Sequence, residues 1–436
     1  MHLVPRRLLQ RLRLSRAFSD KSTLPHPTTQ HVLNNPSGKQ VFSCLSEPLG
    51  LPAAEGYGFA RFQIGDAIGP DQRYSITRKL GWGMHSSTWL AHDTVLKKYV
   101  AVKALTGHIT EMYDCAAVWE ADALRLLSYP PVSKHCVTLL DEFTVKGHES
   151  AGSHLCLVMP LYGGDVKALA ASRNSPFPPL LAKRIIQHVL QGIAYAHERG
   201  VVHTDIKHDN VFFETRLTTA EIEKWINEDP SRMHPCEVSV DGTVQAAMSQ
   251  PMKPPSEEEA LNATYLLADF GSAQPSKLHA NRTITAICMR APEAYLGGEW
   301  DKPADIWSFG CLVYELLTSQ PLFLYQKNDK FGLSEIENIL YQMMLYTGEV
   351  FRAEQLSICP LASEYFNGDC RLKQEPEVFE WPLEHLIGSH KVIHDEEVPI
   401  AADFVRQCLR LNPKDRANAQ ELLDAAWLNI SQQQHN

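Results

Sequence analysis

The spacing of apolar residues divides this chain into an aperiodic start, a β-like middle and a helical remainder. Residues 21 to about 72 are rich in Pro, Ser, Gly and Asn and sustain no period, which reads as an extended lead-in. From Tyr74 short runs appear that read as strands: YSITRKL, SSTWLAHD and YVAVKAL, with Gly81 and Gly83 placed for a hairpin turn between the first two. The spacing then predicts a helix over 116–127, with Trp119, Ala123, Leu126 and Leu127 on one face. Two further strand-like runs follow, CVTLLDEFTV and HLCLVMPL. Past Gly163-Gly164 the period turns helical: Leu181, Ile185, Val189 and Ile193 recur every fourth residue, and Gly200 supplies the stop.

Two strand-like runs, around 211–213 and 265–268, would form a hairpin but for the residues that separate them. Those residues, 214–263, read as an insertion that opens on a capped helical turn (Thr218, Glu221, then Ile222, Trp225 and Ile226) and ends in QPMKPP. Its acids outnumber its bases, so a solvated spacer is expected, with a docking or regulatory element as the alternative. ADIWSFGCLVYELL is nearly continuous in apolar residues, as a core helix would be, and SEIENILYQMMLYTG carries a capping box from Ser334 to Glu337 with a stop at Gly348. Residues 350–398 look irregular, and 400–430 helical. A β-rich part followed by a helical part implies an α+β, two-lobed architecture with its site between the lobes. The boundaries expected are an extension over 1–73, a small lobe over 74–162 and a large lobe over 163–430 carrying the insertion 214–263.

Composition narrows the class. At 436 residues, 44% hydrophobic and 21% charged, the chain suits a globular protein with room for two lobes. A net charge of −10 argues against a direct nucleic-acid binder and favours basic protein partners. The ten cysteines form no CxxC pair, so neither a zinc site nor a disulfide framework is indicated. No apolar run is long enough to span a membrane. The first 19 residues are Arg-rich and acid-free, with Arg6, Arg7, Arg11, Arg13 and Arg16 interleaved with Leu8, Leu9, Leu12 and Phe18. A mitochondrial transit peptide and a basic tail both fit that pattern.

The candidate chemistry centres on VVHTDIKHDNVFF, residues 201–213, a polar loop between a helix and a short strand. Asp205, Lys207 and Asn210 supply an acid, a cation and an amide at spacings that suit phosphoryl transfer. Asp205 would accept a hydroxyl proton, Lys207 would steady the phosphate, and Asn210 would bind Mg²⁺. Asp269, in Asp269-Phe270-Gly271 after an apolar strand, is a second Mg²⁺ ligand candidate. Upstream, the turn from Leu80 through Gly81, Trp82 and Gly83 to Thr88 could let main-chain amides approach the phosphates of ATP. Ser86 stands where a third glycine would complete that pattern. Lys103, at the end of an apolar strand, would meet the α and β phosphates, with Glu120 on the next helix holding its amine. Glu293, in Ala291-Pro292-Glu293, has Arg416 as its expected ion-pair partner. His197 and His203 read as structural.

These motifs in this order resemble a eukaryotic protein kinase from about Tyr74 to Ile430. LGWGMHSSTWLA, VVHTDIKHDN, LLADFGSA and MRAPEAYLGGEWDKPADIWSFGCLVYELLT more narrowly resemble the serine/arginine-rich (SR) protein kinases, particularly short fungal-type members. Trp82 with Ser86 and Thr204 ahead of Asp205 carry the narrower likeness. The resemblance implies an ATP- and Mg²⁺-dependent serine/threonine protein kinase, monomeric, acting on protein substrates with Arg/Ser-rich ones expected, in the cytoplasm or nucleus. It implies that Leu80, Ala101, Met159 and Leu161 complete the nucleotide site, Met159 backing the adenine. Thr204 replaces the arginine that usually receives an activation-segment phosphate, so activity without such phosphorylation is expected. Ala286 stands where the family has a threonine bridging the acid and the lysine. That departure leaves a pseudokinase, a nucleotide-binding scaffold, as the alternative.

Overall fold

The computed structural model describes residues 47–173, 175–276, 284–377 and 381–429. The Arg-rich start, with its transit-peptide reading, lies outside them. The chain forms two compact units.

The first unit is built on a six-stranded antiparallel sheet: β1 (Ala67–Ile68), β2 (Tyr74–Gly83), β3 (Ser86–Asp93), β4 (Lys98–Leu105), β5 (Asp141–Lys146) and β6 (Ser153–Pro160). Its strand order is β1-β2-β3-β4-β6-β5. A helix not read from the sequence, α1 (Gly107–Asp114), precedes the one expected over 116–127, which is shorter, α2 (Glu120–Leu127), because Ala116 takes a positive φ of 59°.

Two segments read from the sequence as peripheral belong to this unit's core. From the lead-in, Ala60, Phe62 and Ile68 are buried with Ile76, Trp89 and Val102 of the sheet. Residues 214–253 of the insertion also group with this unit and not with the helical part. The expected solvated spacer is therefore a packed element. Its helix Thr219–Glu228 has the capping box read from Thr218 and Glu221, and it buries Ile222 against Leu90 and Leu161. The outcome differs from expectation because acids line the helix's outer positions while Ile222, Trp225 and Ile226 share one face.

Irregularities in the β2–β3 register flank the Arg78–Lys79 pair, one on each side. Arg78 and Lys79 are consecutive yet both fully buried. Arg78 lies 4.0 Å over the Trp225 ring of the insertion helix and bonds to Asp229. Lys79 pairs with Glu47 of the lead-in, itself buried. Successive strand residues face opposite sides, and here each side carries its own cover.

The second unit is mainly helical. Helix α3 (Pro179–Glu198) covers the predicted four-residue period and buries Leu181, Ile185, Val189 and Ile193. Helix α4 (Lys302–Thr318) is buried almost all round, as its continuous apolar run requires. Helix Glu335–Thr347 has the Ser334–Glu337 capping box and ends at Gly348 in the left-handed conformation. The stretch read as irregular holds the short helices Ala353–Ser357, Ala362–Tyr365 and Leu383–Ser389. Strand Val211–Glu214 pairs with Tyr265–Leu267, the interrupted hairpin expected from the sequence.

Candidate active site

The second unit gathers the polar loop around one buried acid. Asp305, 1% exposed on α4, accepts from the main-chain N–H of His203 and of Thr204, each at 2.8 Å. His197 Nε2 lies 2.9 Å from the same carboxylate. Burial alone would raise the Asp305 pKa, but these bonds outweigh it and hold the carboxyl below its usual range. The sequence offered a signal for this role: an acid inside an apolar helical run has to be paired.

His203 is fully buried; its Nε2 lies 2.8 Å from the Ala268 carbonyl and its Nδ1 accepts from the Asp205 N–H at 3.2 Å. That pattern calls for the neutral tautomer protonated at Nε2. Both histidines are structural, as read. Thr204 takes a positive φ of 64° and ties two ends of the following segment: its hydroxyl donates to the Ser272 carbonyl, and its carbonyl accepts from the Thr285 hydroxyl.

On this base Asp205, Lys207 and Asn210 converge. Lys207 Nζ is 2.7 Å from Asp205 Oδ2, and Asn210 Nδ2 donates to the same oxygen at 2.9 Å and to the Asp205 carbonyl at 2.8 Å. Asn210 thus spends its amide nitrogen inside the loop, leaving its oxygen as the atom a hard cation takes. Asp269 has a positive φ of 54° at the turn after its strand, and its carboxylate accepts from the Gly271 N–H at 3.4 Å. Arg416 and Glu293 form the expected buried pair through two 2.7 Å bonds.

The first unit holds the other candidates. Lys103 and Glu120 are in contact through Nζ and Oε1. Thr88 is the register partner of both Gly81 and Lys103, and Ala101 that of Met159. Leu161 is buried with Leu90 and Ile222, and Leu80 packs on the same cluster, so what Leu161 can offer a nucleotide is its main chain.

The glycines test whether a triphosphate fits. Neither Gly81 nor Gly83 has a positive φ, and a Cβ on either would meet no protein atom within 4 Å. Neither backbone conformation nor packing demands glycine there. The room they keep suits the close approach of phosphate oxygens to main-chain amides. Among the described residues no cluster of three or more His, Cys, Asp or Glu could hold a metal by itself. Mg²⁺ needs none, because one or two protein oxygens with phosphates and water fill its shell.

The protein kinase domain pattern matches residues 74–232 and 252–428, and this chain belongs to the protein kinase family. Its relatives include the serine/threonine-protein kinase SRPK of Physarum polycephalum, 27% identical over 85% of this chain and 89% of its own. Protein kinase dsk1 of Schizosaccharomyces pombe is 24% identical over 82% of this chain and 80% of its own. SRSF protein kinase 3 of Mus musculus is 24% identical over 85% and 89%. These names agree with the narrower likeness seen in the motifs. The solved kinase domain of PF14_0431 shares the fold, with a TM-score of 0.60 at 20% identity over 85% of this chain and 99% of that one. The chain is a protein kinase, and the Physarum relative is a serine/threonine kinase by name. Their names lend the mitochondrial reading of the N-terminus no support.

Proposed function

We propose that this protein transfers the γ-phosphate of ATP to serine or threonine hydroxyls of basic protein segments, and that it works in the cytoplasm or nucleus. The observation that carries the reading is the Asp205 carboxylate, held by Lys207 and Asn210 on a loop that Asp305 fixes by two main-chain bonds. Mg·ATP, when bound, supplies the phosphoryl group and neutralises its charge. Asp205 orients the substrate hydroxyl and takes its proton, while Lys207 sets positive charge beside the transferred group. Asn210 and Asp269 would hold the cation. Lys103, steadied by Glu120, would bind the phosphates together with the main chain at Gly81 and Gly83, and Met159 and Ala101 would back the adenine. The contribution is positioning and fixed charge rather than covalent chemistry.

Preference for basic substrates is supported by carboxylates beside the catalytic loop. Asp209 and Glu315 lie 3.7 and 3.8 Å from His208 Nδ1, and Asp209 also pairs with Lys167 at 2.6 Å. Burial, then Asp209, pushes the Glu315 carboxyl up to about 7. A guanidinium placed there would relieve that stress. The scaffold reading rests on Ala286 and on the incomplete glycine loop, but Lys207 meets Asp205 directly, without a bridging hydroxyl.

Steady-state assay of Asp205→Asn with a Ser-containing Arg-rich peptide is the test. Turnover should fall by roughly 10²–10⁴-fold with ATP affinity nearly unchanged. A wild-type chain that binds Mg·ATP but phosphorylates neither basic nor neutral peptides would favour the scaffold.

A further inference from the structure

Trp82 sits in the phosphate loop between Gly81 and Gly83 and is 37% exposed, an unusual place for an indole. Its ring meets Phe59 edge-on, with centroids 5.9 Å apart and planes at 84°. Phe59, 2% exposed, belongs to the lead-in and is buried with Leu49 and Val244.

Both sides of Phe59 are fastened. The N–H groups of Gly107 and His108, at the start of α1, donate to the carbonyls of Gly58 and Tyr57 at 2.7 and 3.2 Å. That approach admits no side chain, since a Cβ on Gly107 or Gly58 would stand 1.8 or 2.5 Å from the Ala151 carbonyl oxygen. Val244 comes from the insertion, on the hairpin of Glu237–Ser239 with Gly242–Val244. The Ser239 hydroxyl ties this hairpin to the Leu49 carbonyl at 2.7 Å, and Arg61 and Ser150 both bond Asp241 at its turn.

We propose that Phe59 is a positioning residue for nucleotide binding: seated by the insertion hairpin, it buttresses the phosphate loop through Trp82. The inference rests on the nucleotide reading of Gly81 and Gly83. Two flanking glycines make that loop costly to order, and Trp82, between them, reaches Phe59, so that packing can hold it there. A loop already held gives up less entropy when phosphates bind. The acid Asp241 and the apolar Val244 thereby serve a site to which neither belongs.

A double-mutant cycle on the full-length chain tests this, reading the dissociation constant of Mg·mant-ADP by fluorescence titration. Trp82→Ala and Phe59→Leu should each weaken binding roughly 3- to 10-fold, the range one aromatic pair supports. The double variant should weaken it no further than the worse single one. Phe59→Tyr, which keeps the ring, should restore wild-type affinity. Should Phe59→Leu not fold, Trp82→Phe against Trp82→Leu asks the same at an exposed position: only the leucine variant should lose affinity. Losses that multiply in the double variant, or equal affinity for the two Trp82 variants, overturn the buttress alone. A wild-type chain that does not bind Mg·mant-ADP overturns the nucleotide reading and the buttress with it.

Discussion

Asp305 and Glu315 are the two acids of the buried helix α4, and their environments part them. Asp305 has three hydrogen-bond donors and stays ionised. Glu315, with a half-buried imidazole 3.8 Å away, is pushed up to about 7 by burial and then by Asp209. Burial also lowers the pKa of the His208 ring, which disfavours its charged form. Since the folded pKa of Glu315 lies above that of an unfolded glutamate, the fold carries an extra proton between about 4.5 and 7. Its contribution to stability therefore falls as pH rises through that window. The functional sign is the reverse: above pH 7 the carboxylate is charged and attracts a basic side chain. KM for an Arg-containing peptide should rise several-fold between about pH 8 and pH 6, while KM for a neutral peptide stays level. Glu315→Gln should remove the difference between the two profiles; a difference that persists would assign the basic preference elsewhere. Such residue-scale roles were half legible. Asp205, Lys207, Asn210 and Asp269 announce themselves as motifs, and the loop brings the first three together. Asp305 and Glu315 look in the sequence like two polar interruptions of an apolar run. Only their contacts separate an anchor from a titrating acid.

At the scale of elements, legibility tracks how local the determinants are. Capping boxes at Thr218, Ser334 and their partners three residues on were readable because both members lie within one turn. Helix α3 was readable from its own period. The docking of the insertion was not, because the surface that receives Ile222 is made of Leu90 and Leu161, 132 and 61 positions away. Charge patterning described the exposed side of that helix correctly and said nothing of the other. If the insertion is a packed element, Ile222→Ala should cost about 2–5 kcal/mol. That corresponds to a melting temperature lower by about 4–20 °C for a domain of this size. Ile222→Asp should do worse, while Glu223→Ala on the exposed side should do almost nothing. A solvated spacer would leave all three melting curves superimposed on the wild type.

For the whole molecule, the kinase pattern begins at residue 74, yet the fold begins earlier. The first unit is assembled from three stretches of chain: the lead-in continuing into the first four strands, residues 137–164 with the last two, and residues 214–253 of the insertion. The lead-in supplies Glu47, the partner of fully buried Lys79, and Leu49, Ala60, Phe62 and Ile68 to the unit's apolar interior. A chain beginning at Tyr74 would retain Lys79 at the same strand position without that carboxylate. Removing one partner of a buried pair costs about 3–5 kcal/mol, and each lost large apolar group adds roughly 1.5–3 kcal/mol. Together these approach or exceed the whole stability of an ordinary domain, about 5–15 kcal/mol. Expression of chains starting at residues 40 and 74 should therefore separate cleanly. The longer one should give a soluble protein with a cooperative melt. The shorter should be insoluble or melt without cooperativity, although it keeps every residue of the kinase pattern. Glu47→Gln in the longer chain isolates the ionic share, since it keeps shape and removes charge. A shorter chain as stable as the longer one would mean that the lead-in merely rests on the sheet, and would take from Phe59 its claim on the phosphate loop.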